Sequence, residues 1–422
     1  MSDSPAYVPR VVDHQLAALL TSAGAVVIEG PKACGKTMTA RQRAASEVLL
    51  DVDPAARTAI AIDPGLVLDG ETPRLIDEWQ TEPQLWNHIR RAVDDRRKAG
   101  QFILTGSAVP ADDVTRHTGA GRIARLRMRP MSLFESGQST GMISLAALLD
   151  GEPARAASTP LTVAALTDRL CVGGWPAFQQ LHSEDARRAV TDYLDEIRRT
   201  DVSRIERGRR HDPERVGRLL ASFARNVSTS AGVANLAADT GGAEGPLTRE
   251  TVYEYLYALE RLMIIEDQPA WAPHLRSRSR ARTAAKRHFV DPSLAVAALG
   301  ASPARLLKDL NLLGFLYESL VIRDLRIYAQ TVDATVFHYR DNTDLEIDAV
   351  VEARDGRWAA FEVKLGGDDR IDAGAANLRR FAKRVDTKKI GEAAVLGVIT
   401  ATGYGYVRDD GVAVIPIGTL GP

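Results

Sequence analysis

Residues 30–37 read Gly-Pro-Lys-Ala-Cys-Gly-Lys-Thr and fit the pattern G-x-x-x-x-G-K-[ST]. This run constrains its surroundings strongly, because it works only where a buried strand enters and a helix leaves. The flanks supply both. Ala25-Val26-Val27-Ile28 is an apolar run of the kind buried in parallel sheets, and a helix is predicted over Met38–Leu49. In that setting backbone N–H groups turn inward around phosphates. Lys36 is then placed to meet the β- and γ-phosphates, and Thr37 to ligate Mg²⁺. Gly30, Pro31, Lys32, Ala33, Cys34, Gly35, Lys36 and Thr37 are the expected nucleotide-binding residues.

The second half of such a site is an acidic strand end, found at Leu75-Ile76-Asp77-Glu78. Asp77 is expected to reach the metal, and Glu78 to polarise an attacking water as general base. Phe102-Ile-Leu-Thr-Gly-Ser107 is a third apolar run ending in polar residues. Ser107, with Thr105 as the alternative, is the candidate sensor of the γ-phosphate. Apolar runs at 59–62, 74–77 and 101–105 separated by helix-length polar segments predict a parallel α/β sheet.

At 422 residues the chain is too long for one ordinary core. A formal net charge of −1 names no partner, so nucleic-acid affinity has to come from local basic patches. The two cysteines, Cys34 and Cys171, make no disulfide framework and show no zinc spacing. With no signal pattern at the N-terminus and no apolar run long enough to span a bilayer, the expected location is the cytoplasm.

The set GPKACGKT, LIDEWQ, ILTGSA and GRIARLRMRPMSLFE resembles the AAA-type ATPases that carry a C-terminal DUF4143 region. Met131 stands where that pattern usually has leucine. The resemblance implies an arginine that completes the chain's own ATP site or a neighbour's. Arg122 is the candidate, with Arg125 and Arg129 as rivals. Gly173-Gly174-Trp175-Pro176 and Tyr193–Val202 also resemble this family, with packing and turn geometry their preferred role, and His288–Leu294 again matches its pattern.

Residues 137–160 are small and punctuated by Pro and Gly, and are expected as a linker; 161–235 read as mostly helical. Leu247–Glu260 resembles the second helix of a winged helix-turn-helix, with Arg249 and Tyr253 turned to DNA. Arg276–Arg287 carries five arginines and one lysine without an acid. That run either tracks a phosphate backbone or is a solvated hairpin.

From 311 onward a helix at 312–328 precedes strands near 335–339, 345–352 and 357–364, a helix at 373–384 and strands near 393–400 and 412–417. Glu362 and Lys364 lie two apart in a strand and share a face, and Asp348 on the neighbouring strand can meet them. Asp348 followed by Glu362-Val363-Lys364 resembles the PD-(D/E)-x-K nuclease core, and Glu318 matches the acidic residue of its first helix. The resemblance implies a restriction-endonuclease-like α/β domain. Asp348 and Glu362 would hold Mg²⁺, with Glu318 and Lys364 assisting.

The expected organisation is a P-loop parallel-sheet ATPase domain at 1–136, a linker and helical region at 137–235, a winged-helix-like region at 236–310 and a nuclease-like domain at 311–422. The expected ligands are ATP and Mg²⁺, and the macromolecular partner is DNA. A homo-oligomer follows if Arg122 serves a neighbour. Two function classes stay open: an ATP-driven enzyme acting on DNA with a Mg²⁺-dependent nuclease domain, and a nucleotide-dependent switch that binds DNA or protein without cutting.

Overall fold

The computed structural model describes residues 7–107, 118–202, 212–241, 245–272 and 284–422. It divides into two compact units, one of residues 1–130 with 260–263 and one of 131–259 with 264–422. The chain is α/β, with a separate sheet in each unit.

In the first unit, strands β1 (Ala25–Glu29), β2 (Ser46–Leu49), β3 (Arg74–Asp77), β4 (Phe102–Gly106) and β5 (Ile123–Arg127) form one sheet in the order β2-β3-β4-β1-β5. Every pairing is parallel. Alternation along β1 sorts its side chains onto two faces. Ala25 and Val27 pack with Trp86, Ile89 and Val93 of helix Leu85–Arg96. Val26 and Ile28 pack with Val12 and Leu16 of helix Val12–Ser22. Both faces are covered, which is why β1 is an unbroken apolar run.

Two expectations in this unit are corrected. The helix predicted over Met38–Leu49 stops after Lys36–Arg41, and Ser46–Leu49 becomes the edge strand β2. Val48 is buried there by pairing with β3, so sheet contacts override helical periodicity. The apolar run 59–62 is no strand but the end of helix Pro54–Ile62. The start signal lies upstream: Asp53 accepts from Ala55 N at 2.9 Å and Pro54 occupies the first turn.

In the second unit, strands β7 (Ala334–Arg340), β8 (Glu346–Ala353), β9 (Trp358–Lys364), β10 (Val395–Thr400), β11 (Tyr406–Val407) and β12 (Ala413–Pro416) form a mixed sheet in the order β11-β12-β10-β9-β8-β7. β7, β8 and β9 are antiparallel neighbours, whereas β9, β10 and β12 are parallel. Helix Asp368–Ala382 makes the crossover between β9 and β10. Its Leu378 and Phe381 enter a core with Trp271, Trp358 and Val398. Helix Leu310–Ala329 is buried over most of its length, from Leu316 through Ala329.

The segment expected as a linker is built into this unit. Ile143–Ser144 (β6) pairs in parallel with Leu420–Gly421 (β13), and helix Leu145–Leu149 buries three leucines. The motif Pro130–Glu135 closes a reciprocal capping box: Ser132 N donates to Glu135 Oε2 at 2.8 Å and Glu135 N to Ser132 Oγ at 3.2 Å. The Gly173-Gly174-Trp175 run packs, as preferred. A Cβ on Gly174 would stand 2.0 Å from Met131 O, so only glycine admits the bond Met131 N–H to Gly174 O, 2.6 Å. Trp175 is fully buried, with Nε1 donating to Ser293 Oγ at 3.1 Å.

Helices Pro213–Arg225, Val233–Ala238 and Arg249–Arg261 precede two antiparallel bridges, Ile265 to Phe289 and Gln268 to Lys286. Arg249 and Tyr253 both lie on the exposed side of their helix. Of the basic run, residues 276–283 lie outside the described residues. The four that are described do not form a solvated arm: Lys286 is only 2% exposed and Arg287 pairs with Asp267.

Candidate functional sites

The run Gly30–Thr37 sits where β1 ends and helix Lys36–Arg41 begins. Ala33 and Gly35 have positive φ, 60° and 104°, and these two reversals form the concave loop. Lys36 is 5% exposed and folds back over the loop, donating to Gly30 O at 3.0 Å and Pro31 O at 2.8 Å. A lysine ammonium has three donors, so two carbonyls leave one proton for a phosphate oxygen. Arg10, buried, braces the loop from behind through Cys34 O and Arg129 O, both at 2.8 Å.

β3 and β4 bring the acidic pair and the sensor residues to the same sheet edge. Thr37 Oγ1 donates to Asp77 Oδ1 at 2.9 Å, and Thr105 Oγ1 donates to the same oxygen. Glu78 stands in the left-handed region at φ 53°, unusual for a non-glycine residue, and this directs its side chain away from the strand line. Its Oε2 accepts from Ser107 Oγ at 3.2 Å and from Gln80 Nε2. The two candidate sensors thus divide their work, Thr105 on Asp77 and Ser107 on Glu78. Gln80 was missed in the sequence; its place two residues after Glu78 in LIDEWQ was the available signal.

These groups fit a nucleotide with Mg²⁺. The hydroxyl of Thr37 and the carboxylate of Asp77 are adjacent hard-oxygen groups, of the kind that would hold Mg²⁺. Arg122 is a correction for the chain's own site. β5 runs parallel to β1 with Ile123 opposite Ala25, so Arg122 lies at the end of the sheet away from the loop after Glu29. It pairs there with Asp94 at 2.8 Å. Arg125 pairs with Glu29 and lies 5.5 Å from the Trp86 ring centre.

The C-terminal residues are brought together, with an addition. Asp348 Oδ2 accepts from Val363 N at 2.8 Å and lies 3.4 Å from Lys364 Nζ. Lys364 Nζ is 2.5 Å from Glu362 Oε2, and Glu362 Oε1 accepts from Asn377 Nδ2 at 2.6 Å. Glu318 points to neither Glu362 nor Lys364. It meets Lys286 Nζ at 2.7 Å, as do Glu346 at 2.6 Å and Asp348 at 3.5 Å. Burial by itself would lower the Lys286 pKa, but the charges of Glu318, Asp348 and Glu346 outweigh it and hold the ammonium protonated well above its ordinary value. Burial raises the Asp348 pKa, and Lys286 and Lys364 more than reverse that, leaving it a carboxylate.

A divalent ion does not fit this arrangement as it stands. The oxygens of Glu318, Glu346 and Asp348 surround the Lys286 ammonium at 2.7, 2.6 and 3.5 Å, and that ammonium occupies the point a shared ion would take. Among the described residues no group of three or more His, Cys, Asp or Glu side chains is placed to hold a metal. An open cleft of about 480 Å³ beside the pair is lined by Glu362, Lys364, Gly374, Asn377 and Arg380.

Two buried imidazoles lie behind this cluster. His288 joins Ser319 Oγ and Gln268 Oε1, both at 3.1 Å, and His338 Nε2 meets Ala284 O at 3.1 Å. Burial, then the charges of Arg326 and Lys286, hold His288 well below the ordinary imidazole range. Burial and Lys286 push His338 from 6.5 down to about 4. Both rings fold neutral, so the unfolded chain takes up their protons first on acidification. Their contribution is complete above pH 6.5 and is lost as the pH falls toward 4, amounting to roughly 3 kcal/mol for His338. Glu318 and Glu362, raised by burial to about 8 and about 7, act in the opposite sense, so the comparison carries the test: between about pH 7.5 and 4.5, urea unfolding of a folded His338→Gln variant should lose less stability than that of wild type. Equal slopes in the two proteins would contradict the assignment.

Three stretches match known families. Residues 22–136 match an AAA domain, 163–305 match a domain of unknown function, DUF8612, and 313–420 match another, DUF4143. No curated relative matches the chain. Among solved structures, a Walker-type ATPase of Pyrococcus abyssi is 13% identical at a TM-score of 0.41, over 68% of this chain and 94% of that one. The ORC1 protein of Aeropyrum pernix, solved in complex with DNA, is 16% identical at 0.26, over 72% and 96%. No described helix is long and apolar enough to cross a membrane.

Proposed function

We propose that the chain, with its AAA domain at 22–136 and its DUF4143 region at 313–420, binds ATP with Mg²⁺ in the first unit and hydrolyses it. The observation that carries this is the convergence of Lys36, Thr37, Asp77, Glu78, Thr105 and Ser107 at one edge of a parallel sheet. Backbone N–H groups of the loop and Lys36 neutralise the phosphates. Thr37 and Asp77 would hold Mg²⁺, which would supply positive charge beside the γ-phosphoryl group. Glu78 takes a proton from water while Ser107 and Gln80 orient its carboxylate. Arg122 remains a candidate for a neighbouring subunit's site only, since its own site is at the far end of the strand.

Of the two function classes, we favour the nucleotide-dependent switch that engages DNA or protein without cutting. The specific observation is that Lys286 pairs with Glu318, Glu346 and Asp348 while Lys364 pairs with Asp348 and Glu362, so each carboxylate the cutting reading assigns to Mg²⁺ lies against an ammonium of the chain. Arg249 and Tyr253, exposed on one helix, are the candidate DNA-facing residues.

Lys36→Ala tests the central reading. Loss of the ammonium should weaken ATP binding by at least about 10²-fold, the scale of a lost charge-assisted contact to phosphate. Equilibrium binding of a fluorescent ATP analogue measures it. Unaltered affinity in the variant would remove the nucleotide assignment. DNA incubated with wild-type protein, Mg²⁺ or Mn²⁺ and ATP should stay intact; cleavage lost in Asp348→Ala would restore the nuclease class.

A further inference from the structure

Helix Leu310–Ala329 supplies Glu318, and β8 supplies Glu346 and Asp348. Glu318 and Asp348 are two of the acids that the nuclease resemblance assigns to a metal site, and Glu346 joins them here. The cation they surround comes from outside both elements. Lys286 belongs to the second of two short antiparallel bridges, paired with Gln268, some twenty-four residues before the helix begins. Its backbone is fixed in both directions, Gln268 N to Lys286 O at 2.9 Å and Lys286 N to Gln268 O at 3.0 Å. Gln268 is fixed in turn: its Nε2 donates to Phe337 O at 2.9 Å and Asp348 O at 3.0 Å, and its Oε1 meets His288. The ammonium is therefore delivered by a rigid, fully bonded backbone rather than by a free surface arm. Its side chain is 2% exposed, against 12% for Asp348 and 37% for Glu346.

We infer that Lys286 is the resident cation of the C-terminal carboxylate cluster, standing where a divalent ion would otherwise be needed to hold Glu318, Glu346 and Asp348 together. The inference deepens the non-cutting reading and rests on it. Three acidic side chains converge within 3.5 Å of one point; burial raises Glu318 to about 8 even beside Lys286, and the positive charges of Lys286 and Lys364 are what keep buried Asp348 ionised there. One ammonium with three N–H donors offers one bond to each carboxylate. Lys364 serves the far side of Asp348 and Glu362 in the same way. The folded protein thus meets the cluster's need for cations with its own chain. An entering metal must first expel a buried, charge-compensated lysine.

The test uses the full chain without nucleotide, with Mn²⁺ as the probe. Thermal unfolding of wild-type protein should be unmoved by millimolar Mn²⁺ in the transition that involves the second unit. Lys286→Ala should unfold at lower temperature. Mn²⁺ should then raise that variant's transition by roughly 5 °C, by mass action on the freed carboxylates. The double variant Lys286→Ala with Asp348→Asn should lose the rise. A Mn²⁺-dependent rise in wild-type protein that Asp348→Asn abolishes would overturn the inference. So would a folded Lys286→Ala variant indifferent to Mn²⁺. Should Lys286→Ala not fold, Lys286→Met, which keeps the length of the stem without the charge, takes its place, and the wild-type titration still decides. Failure of the non-cutting reading is seen separately, as DNA cleavage.

Discussion

Glu78→Gln should retain ATP and lose turnover by roughly 10²-fold or more, the scale of general-base loss. The substitution keeps the length and planarity of the side chain, so the contacts with Ser107 and Gln80 can persist in altered polarity. It removes only the capacity to accept a proton from water at the moment of attack. Binding, which depends on Lys36 and the loop backbone, lies on other residues. Phosphate release measured alongside equilibrium ATP binding separates the two effects. Turnover at the wild-type rate would take the base role away from Glu78. A parallel loss of binding would instead mean that the left-handed turn at Glu78 had collapsed and the loop with it.

Arg323→Leu should destabilise the second unit by about 3–5 kcal/mol, the cost of stripping a buried ion pair of one partner. Arg323 Nη1 lies 2.8 Å from Asp291 Oδ2 and Nη2 lies 2.7 Å from Asp324 Oδ1, with all three side chains buried. The same carboxylates also hold backbone. Asp291 Oδ2 accepts from Gly174 N at 2.9 Å, and Asp324 Oδ2 from Leu133 N at 3.0 Å. Removing the guanidinium leaves two buried carboxylates without compensation, and three chain segments lose their common anchor. Arg225, paired with Asp239 at the surface at 2.8 Å, is the control. Its replacement by Leu should cost less than about 1 kcal/mol. Urea unfolding of the second unit compares them, and equal losses would show that burial is not what gives the Arg323 network its weight.

The proposed nucleotide site is legible in the sequence because each of its three pieces carries its own short local pattern and the loop's backbone geometry is stereotyped. The run Gly30–Thr37, the strand end Asp77-Glu78 and Ser107 each announced themselves by local pattern. What stayed hidden depends on long-range placement. Lys286 sits in sequence within a basic run, yet its neighbours in space are acids from two other elements. Nothing local separates a lysine that solvates from one that is 2% exposed. Arg122 failed as a residue of its own site for a similar reason. Sequence gives its distance from the strand, while strand direction decides which end of the sheet it occupies. The end of helix Lys36–Arg41 and the strand Ser46–Leu49 were lost to periodicity, since a four-residue edge strand carries too few residues for its alternation to stand out.

The pairing of β6 with β13 has a bearing on how this polypeptide can be taken apart. Residues 143–144 lie against 420–421, and Ser144 Oγ donates to Pro422 O at 2.6 Å. The region that matches DUF4143 begins at residue 313, after both Ile143 and Lys286. A recombinant fragment cut at that border would carry the acids without their ammonium and a last strand without its mate. The inheritable segment and the mechanical piece are therefore different objects. The border drawn by sequence kinship passes through the middle of a single packed body, and any exchange of this region between proteins has to bring residues from 131 onward with it.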